Sequence, residues 1–251
     1  MYEYEYDTMR SLEDQYWWYR GLRKLTADMI ARHLKGPLKG LDAGCGTGGA
    51  LAYLTDHLPD VHFFGFDRER LAVSYSHQRD KAPILQGSVN AMPFQPATFD
   101  FIFSLDVIYI QGVDDQKMVE EAHQALRAGG LLFLNVPAFE WLRGEHDAAV
   151  RTRHRYTRGE MNTLLEQGGF KILKSTYWNT FLFPLILLIR LLRKSKSASE
   201  TPRSDLSPLP EPINRFFTFL LDLEIRLTRY INLPIGSSVF CVAQKEATET
   251  K

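Results

Sequence analysis

A glycine-rich turn at residues 41–49 constrains the fold of this chain more than any other feature. Its sequence, Leu-Asp-Ala-Gly-Cys-Gly-Thr-Gly-Gly, predicts the end of a buried strand, a tight turn and the start of a helix. The glycines Gly44, Gly46 and Gly48 remove side chains where the backbone must turn sharply, and they let a ligand lie against the main chain. We therefore expect an α/β sheet with a ligand site at the end of its first strand. A glycine pattern alone does not separate the nucleotide-binding folds, since dinucleotide-binding domains also use spaced glycines.

An acidic residue closes the next apolar run, about twenty residues further along. Residues 61–67, Val-His-Phe-Phe-Gly-Phe-Asp, predict a second strand with Asp67 at its tip. A carboxylate at that position can accept hydrogen bonds from both ribose hydroxyls of a bound nucleoside. A second acid, Asp42, lies inside the glycine motif and gives it the spacing Asp-x-Gly-x-Gly-x-Gly.

Three more motifs follow in order: residues 86–94 (Gln-Gly-Ser-Val-Asn-Ala-Met-Pro-Phe), 99–106 (Phe-Asp-Phe-Ile-Phe-Ser-Leu-Asp) and 126–134 (Leu-Arg-Ala-Gly-Gly-Leu-Leu-Phe-Leu). Together with the Asp-x-Gly-x-Gly-x-Gly motif they resemble the class I S-adenosylmethionine (SAM)-dependent methyltransferase superfamily. The resemblance covers roughly residues 38–175 and the last strand. It implies an enzyme with SAM as cofactor and an α/β fold, a Rossmann-like seven-stranded sheet whose last strand is antiparallel.

The resemblance also implies which residues hold the cofactor. The glycine turn would line its methionine and ribose portions, Asp67 would bind the ribose, and the end of the fourth strand would meet the methionyl amine. The implied cofactor residues are Asp42, Gly44, Cys45, Gly46, Asp67, Arg68, Ser88, Val89, Ser104 and Leu105. Ser88 stands where the family usually has Asp, so this chain lacks an anionic acceptor there for the adenine amino group.

The methyl acceptor is expected beyond the carboxyl ends of the strands, where this fold carries inserted loops. The loop after the fifth strand contains the pair His146-Asp147, which suits a general base because imidazole titrates near neutrality. Tyr109, after the fourth strand, is a third catalytic candidate. The expected acceptor-binding residues are Trp18, Tyr19, Arg20, Asp106, His154, Arg155 and Tyr156. The alternative is that the His-Asp pair caps local backbone and that the Arg/His cluster is solvated.

A narrower resemblance concerns a group of bacterial class I methyltransferases. Three segments recur together in that group: residues 16–23 (Tyr-Trp-Trp-Tyr-Arg-Gly-Leu-Arg), the His146-Asp147 pair, and residues 155–157 (Arg-Tyr-Thr). Tyr16 stands where the group often has His. The aromatic N-terminal segment can act as a lid that excludes water, or its two tryptophans can simply be half-buried packing.

The hydrophobic pattern divides the chain into a lid at residues 1–36, a core at 37–180 and 236–247, and a helical insertion at 181–235. Apolar periodicity predicts one helix over 8–34, followed by alternating strands and helices typical of a parallel sheet. The insertion interrupts the final hairpin with two apolar helices, at 180–192 and 213–233, and a Ser- and Pro-rich linker between them. These helices form a cap, a homodimer surface or a peripheral membrane contact. The first is too short to span a bilayer.

Composition narrows the function further. The 251 residues carry no net charge, so a basic nucleic-acid-binding surface is not expected. The two cysteines, Cys45 and Cys241, have no metal-ligand spacing, and no metal site is predicted. The acidic, aromatic N-terminus lacks the pattern of a signal peptide, which favours the cytoplasm. We expect O- or N-methylation of a small-molecule or lipid-like acceptor. The alternatives are a membrane-surface methyltransferase of a lipid-linked metabolite and a non-catalytic SAM-binding protein.

Overall fold

A single mixed sheet carries the helices of the chain. The computed structural model describes residues 3–194 and 207–246. Its strands are β1 (Leu38–Ala43), β2 (Val61–Asp67), β3 (Ile84–Gln86), β4 (Phe99–Leu105), β5 (Leu126–Pro137), β6 (Phe170–Trp178) and β7 (Ser238–Lys245). The described helices are α1 (Glu3–Leu12), α2 (Trp17–His33), α3 (Gly49–His57), α4 (Arg70–His77), α5 (Asp115–Ala125), α6 (Glu145–Ala149), α7 (Arg158–Gln167), α8 (Phe183–Lys194) and α9 (Glu211–Leu227).

The strand order across the sheet is β3-β2-β1-β4-β5-β7-β6. β1 to β5 pair in parallel, whereas β7 lies antiparallel between β5 and β6. The predicted fold class, a Rossmann-like seven-stranded sheet with an antiparallel last strand, is confirmed. The order reverses at β1 and β4, and an open α/β sheet binds its ligand at that switch point.

Alternating side chains of the strands build a core on each face of the sheet, as the two-residue period of a strand requires. On one face Leu41, Ile102 and Leu132 pack with α5 and α7. On the other face Phe101 and Phe133 pack with α2, α3 and α9. Strands buried on both faces explain the nearly continuous apolar runs in the sequence.

The N-terminal segment is two helices, so the single helix predicted over 8–34 is wrong. The chain leaves α1 after Leu12 and re-enters helix at Trp17. At this break, the main-chain N–H of Trp17 donates to Asn214 Oδ1 at 2.9 Å, and Asn214 Nδ2 donates to the carbonyl of Gln15 at 2.9 Å. The capping group therefore comes from α9, about 200 residues away along the chain, where local periodicity gives no sign of it.

The insertion packs on the N-terminal helices. Leu221 of α9 fits against Gly21 of α2, where an added Cβ would lie 2.3 Å from Leu221 Cδ1. Lys24 and Asp222 form an ion pair across the same contact at 2.7 Å. The predicted linker falls mostly on residues 195–206, which lie outside the described residues.

The outer surface of the insertion exposes many large apolar side chains. Its exposed large side chains are Phe181, Leu185, Leu188 and Ile189 at and in α8, and Ile213, Phe216, Phe219, Leu223, Leu227, Tyr230, Ile231 and Ile235 at and after α9. Within the described part of the chain, no helix combines the length and apolarity needed to cross a membrane.

Candidate active site

The glycine turn shapes one wall of a deep cavity at the carboxyl ends of β1, β2 and β4. Gly44 and Gly46 have φ values of +87° and +55°, in the left-handed region that favours glycine. The N–H groups of Gly44 and Cys45 both donate to the carbonyl of Phe66 at 2.9 Å. These bonds hold the turn against the end of β2, and α3 starts directly after it.

Asp67 is fixed to the glycine turn. Its Oδ2 accepts from the N–H of Gly46 and its Oδ1 from the N–H of Glu69, both at 2.9 Å. Burial raises the pKa of Asp67, although these two main-chain donors favour its ionised form. Asp67 and the turn are therefore one rigid unit in the cavity wall.

The first cavity has a volume of about 210 Å³. Nine of the ten predicted cofactor residues line it: Asp42, Gly44, Cys45, Gly46, Asp67, Arg68, Ser88, Val89 and Leu105. Ser104 is the exception, because its buried hydroxyl donates to the carbonyl of Ala43 at 2.6 Å and holds β4 to β1. The predicted contact of the Ser104 main chain with the methionyl amine stays a prediction.

Helix α1 closes the cavity from above with side chains that the sequence analysis did not single out. Glu5, Tyr6, Met9 and Glu13 line its wall. Glu5 is 1% exposed, and its Oε1 has no hydrogen-bond partner among the described residues. Asp42 Oδ2 is likewise without one. The helical spacing of residues 5, 9 and 13 is the signal that would have identified this face.

An acidic cavity of this kind suits a cationic ligand. Burial raises the pKa of Asp42 well above its usual range, and the nearby charges of Asp67 and Glu13 add to the effect. A buried carboxylate without a partner is costly, and a bound positive charge removes that cost. SAM carries a sulfonium and an α-ammonium group, so the residues present fit it.

Glu13 lies at the centre of a buried ionic cluster at the junction of α1 and α2. Its carboxylate accepts from Thr47 Oγ1 at 2.5 Å, from Arg79 at 2.6 Å and from Arg23 at 3.0 Å. Thr47 belongs to the glycine turn, and Arg79 follows α4. The cluster therefore ties the N-terminal helices to the turn that lines the cavity.

A second cavity of about 280 Å³ lies beside the first. Both are lined by Trp18, Asp106, Tyr109, His146 and Val150, which form a shared wall. Trp18 is held there by stacking on Trp178 at 4.5 Å between ring centroids. An acceptor atom at this shared wall would lie next to the cofactor cavity.

Asp106 is the most perturbed carboxyl group of the shared wall. It follows β4 with a φ of +62°, an uncommon conformation outside glycine. Its Oδ1 accepts from Asn135 Nδ2 at 2.9 Å, and Asn135 Oδ1 in turn accepts from Trp178 Nε1 at 2.6 Å. Burial raises the pKa of Asp106 from 3.8 to about 7. This group can exchange a proton near neutral pH.

The predicted His146-Asp147 pair divides into two roles. His146 lies in α6 and lines both cavities. Asp147 is 2% exposed, accepts from the N–H of Gly144 at 2.8 Å and binds Arg155 at 2.8 Å. Its carboxylate therefore holds the loop.

The predicted acceptor residues do not all meet at the site. Tyr19 lines the first cavity and Arg155 the second, whereas Trp18 and Asp106 line both. The described walls of both cavities leave out Arg20, His154 and Tyr156, so the contact of these three residues with the acceptor stays a prediction. Arg20 is exposed, His154 binds Glu160 at 3.2 Å, and the Tyr156 hydroxyl donates to Asp115 at 2.8 Å. These bonds brace the loop rather than the cavities.

Comparison with known proteins places a methyltransferase domain model on residues 41–134. The chain is 33% identical over 95 residues to a malonyl-[acyl-carrier protein] O-methyltransferase of Herminiimonas arsenicoxydans, covering 38% of this chain and 35% of that protein. It is 26% identical over 133 residues to phthiotriol/phenolphthiotriol dimycocerosates methyltransferase 1 of Mycobacterium ulcerans, covering 51% and 49%. The chain thus spans half or less of the length of these curated relatives.

Solved structures resemble the chain over most of its length. A SAM-dependent methyltransferase from Thermotoga maritima superposes with a TM-score of 0.56 at 17% identity, covering 96% of this chain and 95% of the other. Geranyl diphosphate methyltransferase, solved with geranyl diphosphate and sinefungin, gives a TM-score of 0.59 at 16% identity, covering 88% and 76%. At this identity the likeness establishes the fold.

Proposed function

Because the chain has the class I SAM-dependent methyltransferase fold and carries a methyltransferase domain, we propose that it transfers the methyl group of SAM to an oxygen or nitrogen atom of a small-molecule or lipid-like acceptor. The methyltransferase domain model and the shared fold support the superfamily and the cofactor class that the ordered motifs imply. The similar proteins are named for acceptors as different as malonyl-[acyl-carrier protein] and geranyl diphosphate, so their names do not fix the acceptor of this one.

The observation that carries the proposal is the joining of Asp67 to the glycine turn inside an acidic cavity. Asp67 would accept the ribose hydroxyls, while Ser88 and Val89 would meet the adenine. Glu5 and Asp42 would face the positive charges of the ligand with their unpartnered oxygens. When bound, SAM supplies an electrophilic methyl group on sulfur.

The protein's remaining task is to orient the acceptor, exclude water and take up a proton. Helix α1 covers the cavity and keeps water out. An acceptor hydroxyl or ammonium loses a proton when it is methylated, and His146 and Asp106 lie at the shared wall to receive it. Tyr109 is buried beside them and can donate a hydrogen bond to the acceptor. Holding the reactants in line supplies much of the rate enhancement.

The apolar outer face of the insertion favours one version of this function. An apolar surface this extended is unusual on a monomeric soluble protein and marks a contact with another apolar surface. We propose that it rests on a membrane surface and that the acceptor is a lipid-linked metabolite. A cap or a homodimer surface formed by residues 181–235 is the competing arrangement.

Calorimetry with S-adenosylhomocysteine tests the cofactor site. Gly46→Arg places a bulky side chain in the turn, where an added Cβ already lies 3.1 Å from Met9 Cε, and should abolish binding. Gly36→Arg is the matched control, because Gly36 also has a positive φ of +88° but nothing within 4 Å of its Cβ position. The proposal fails if the wild type does not bind, or if the two variants lose affinity equally.

A further inference from the structure

The second cavity extends away from the shared wall, between the start of α2, the loop carrying α6, and α8. An acceptor whose reacting atom lies at the shared wall therefore has about 280 Å³ of further space for the rest of its structure. Neither the glycine motif nor the cofactor cavity uses this space.

Part of the lining of the second cavity is apolar and leads to the surface. Trp17, Leu142, Ile186 and Ile189 line it, together with the shared Trp18 and Val150. Ile189 is 39% exposed, so the apolar lining reaches the protein surface at α8. A chain of methylene groups would find apolar contacts from the shared wall to the protein surface.

The rest of the lining is polar and holds unpartnered groups. Asn179 is 1% exposed and Thr152 is 9% exposed, and neither Asn179 Oδ1 nor Thr152 Oγ1 has a hydrogen-bond partner among the described residues. Buried polar atoms are rarely left without partners. Their presence in a cavity wall indicates a ligand with polar atoms of its own.

The charged groups of this lining are two guanidinium groups, those of Arg155 and Arg190, and two carboxyl groups, those of Asp147 and Asp106. Asp147 is ion-paired with Arg155 at 2.8 Å, and burial raises the pKa of Asp106 to about 7, so the lining carries net positive charge while Asp106 is protonated. Burial raises the pKa of Asp147, but Arg155, the N–H of Gly144 and, to a smaller extent, Arg190 together hold that pKa below its usual value. Arg190 also lies against the loop, since a Cβ at Gly144 would fall on its guanidinium. Guanidinium groups recognise carboxylates and phosphates, whereas the cofactor cavity is acidic.

We propose that the second cavity binds the distal part of the methyl acceptor, and that this acceptor is an acidic amphiphile. Its apolar chain lies along Trp17, Ile186 and Ile189, and its carboxylate or phosphate faces Arg155 and Arg190. The proposal rests on the proposed methyltransferase function and names the chemical class of its acceptor.

Calorimetry of the full chain saturated with S-adenosylhomocysteine tests this assignment, with sodium octanoate, decanoate and dodecanoate as probes. Burial of each additional methylene should tighten binding about fourfold. Dodecyltrimethylammonium, with the same chain length as dodecanoate and the opposite charge, should bind at least about tenfold more weakly. Equal affinity for the two head groups, or no dependence on chain length, overturns the proposal.

Two substitutions on α8 separate the cavity from the surface. Ile186→Trp fills the cavity and should weaken dodecanoate binding at least about tenfold, whereas Leu188→Trp, on the exposed side of the same helix, should leave it within about twofold. Equal effects of the two variants contradict the cavity assignment. Retained S-adenosylhomocysteine binding shows that each variant is folded. If the wild type binds S-adenosylhomocysteine but not dodecanoate, this inference alone fails; if it does not bind S-adenosylhomocysteine, the proposed function itself fails.

Discussion

Replacing Asp106 by Asn should stabilise the protein at alkaline pH. The substitution keeps the shape of the side chain, and Asn tolerates the left-handed backbone conformation found at this position. The oxygen of the new amide can still accept the hydrogen bond of Asn135. The difference is that the amide of Asn does not ionise, so no buried negative charge forms at this position at alkaline pH.

The magnitude follows from the pKa of Asp106. Its rise from 3.8 to about 7 corresponds to about 4 kcal/mol, at about 1.4 kcal/mol per pKa unit. Because the folded pKa lies above the unfolded one, the contribution of Asp106 to the stability of the wild type is greatest below about pH 4 and is lost as the pH rises through about 7. Asp106 lines both cavities, and water there solvates it in part, so we expect a gain of about 1–3 kcal/mol for Asp106→Asn at pH 8.

Urea unfolding of both proteins at pH 4.5 and pH 8 measures this difference. The advantage of the variant should be small at pH 4.5 and should grow towards pH 8. Asp147→Asn is the matched control in the same cavity wall. Arg155 helps to keep the pKa of Asp147 low in spite of burial. Removing the carboxylate of Asp147 should therefore destabilise the protein at both pH values, by about 3 kcal/mol. A destabilised Asp106→Asn variant at pH 8 would refute the reasoning.

Two other predictions concern the lid and the insertion. Glu13→Ala leaves the buried guanidinium groups of Arg23 and Arg79 without their carboxylate and should cost about 3–5 kcal/mol of unfolding free energy. Asp14→Ala is the control, because the side chain of Asp14 is 51% exposed, and it should cost less than about 1 kcal/mol. Equal losses in the two variants would contradict the role of the cluster. Phe219→Asp on the outer face of α9 should reduce flotation with phosphatidylglycerol vesicles several-fold. Leu85→Asp, at an exposed apolar position on β3, should not reduce it. If the wild-type protein does not float with the vesicles, the membrane proposal is wrong.

The core of the fold was predictable because its signals are local. The Asp-x-Gly-x-Gly-x-Gly motif fixes a turn by its own backbone requirements, and the acid at the tip of β2 is only about twenty residues away. Alternating strands and helices then imply a parallel sheet. The predicted positions Asp67, Asp106 and His146 all line the cavities described above.

The missed features depend on contacts between distant parts of the chain. Glu5 is an ordinary acidic residue in sequence, and only the docking of α1 over the glycine turn buries it. The break before Trp17 is held by Asn214 of α9. The sequence suggests Asp147 as a catalytic partner of its neighbour His146. Adjacent side chains in a short helix point in different directions, however, and the bond to Arg155 fixes the direction of the Asp147 side chain.

The position of β7 has a consequence for biosynthesis. β6 lies at the edge of the sheet, pairs there with β7 and is separated by β7 from β5. β6 ends at Trp178 and β7 begins at Ser238, so the ribosome adds about 60 residues between the two strands, which at about 5–20 residues per second takes on the order of 3–12 s. During that interval the edges of β5 and β6 and the apolar helices of the insertion are exposed together. We therefore expect a nascent chain stalled before Ser238 to recruit chaperones, and a pulse of protease to cleave it far more readily than a chain released after Lys245.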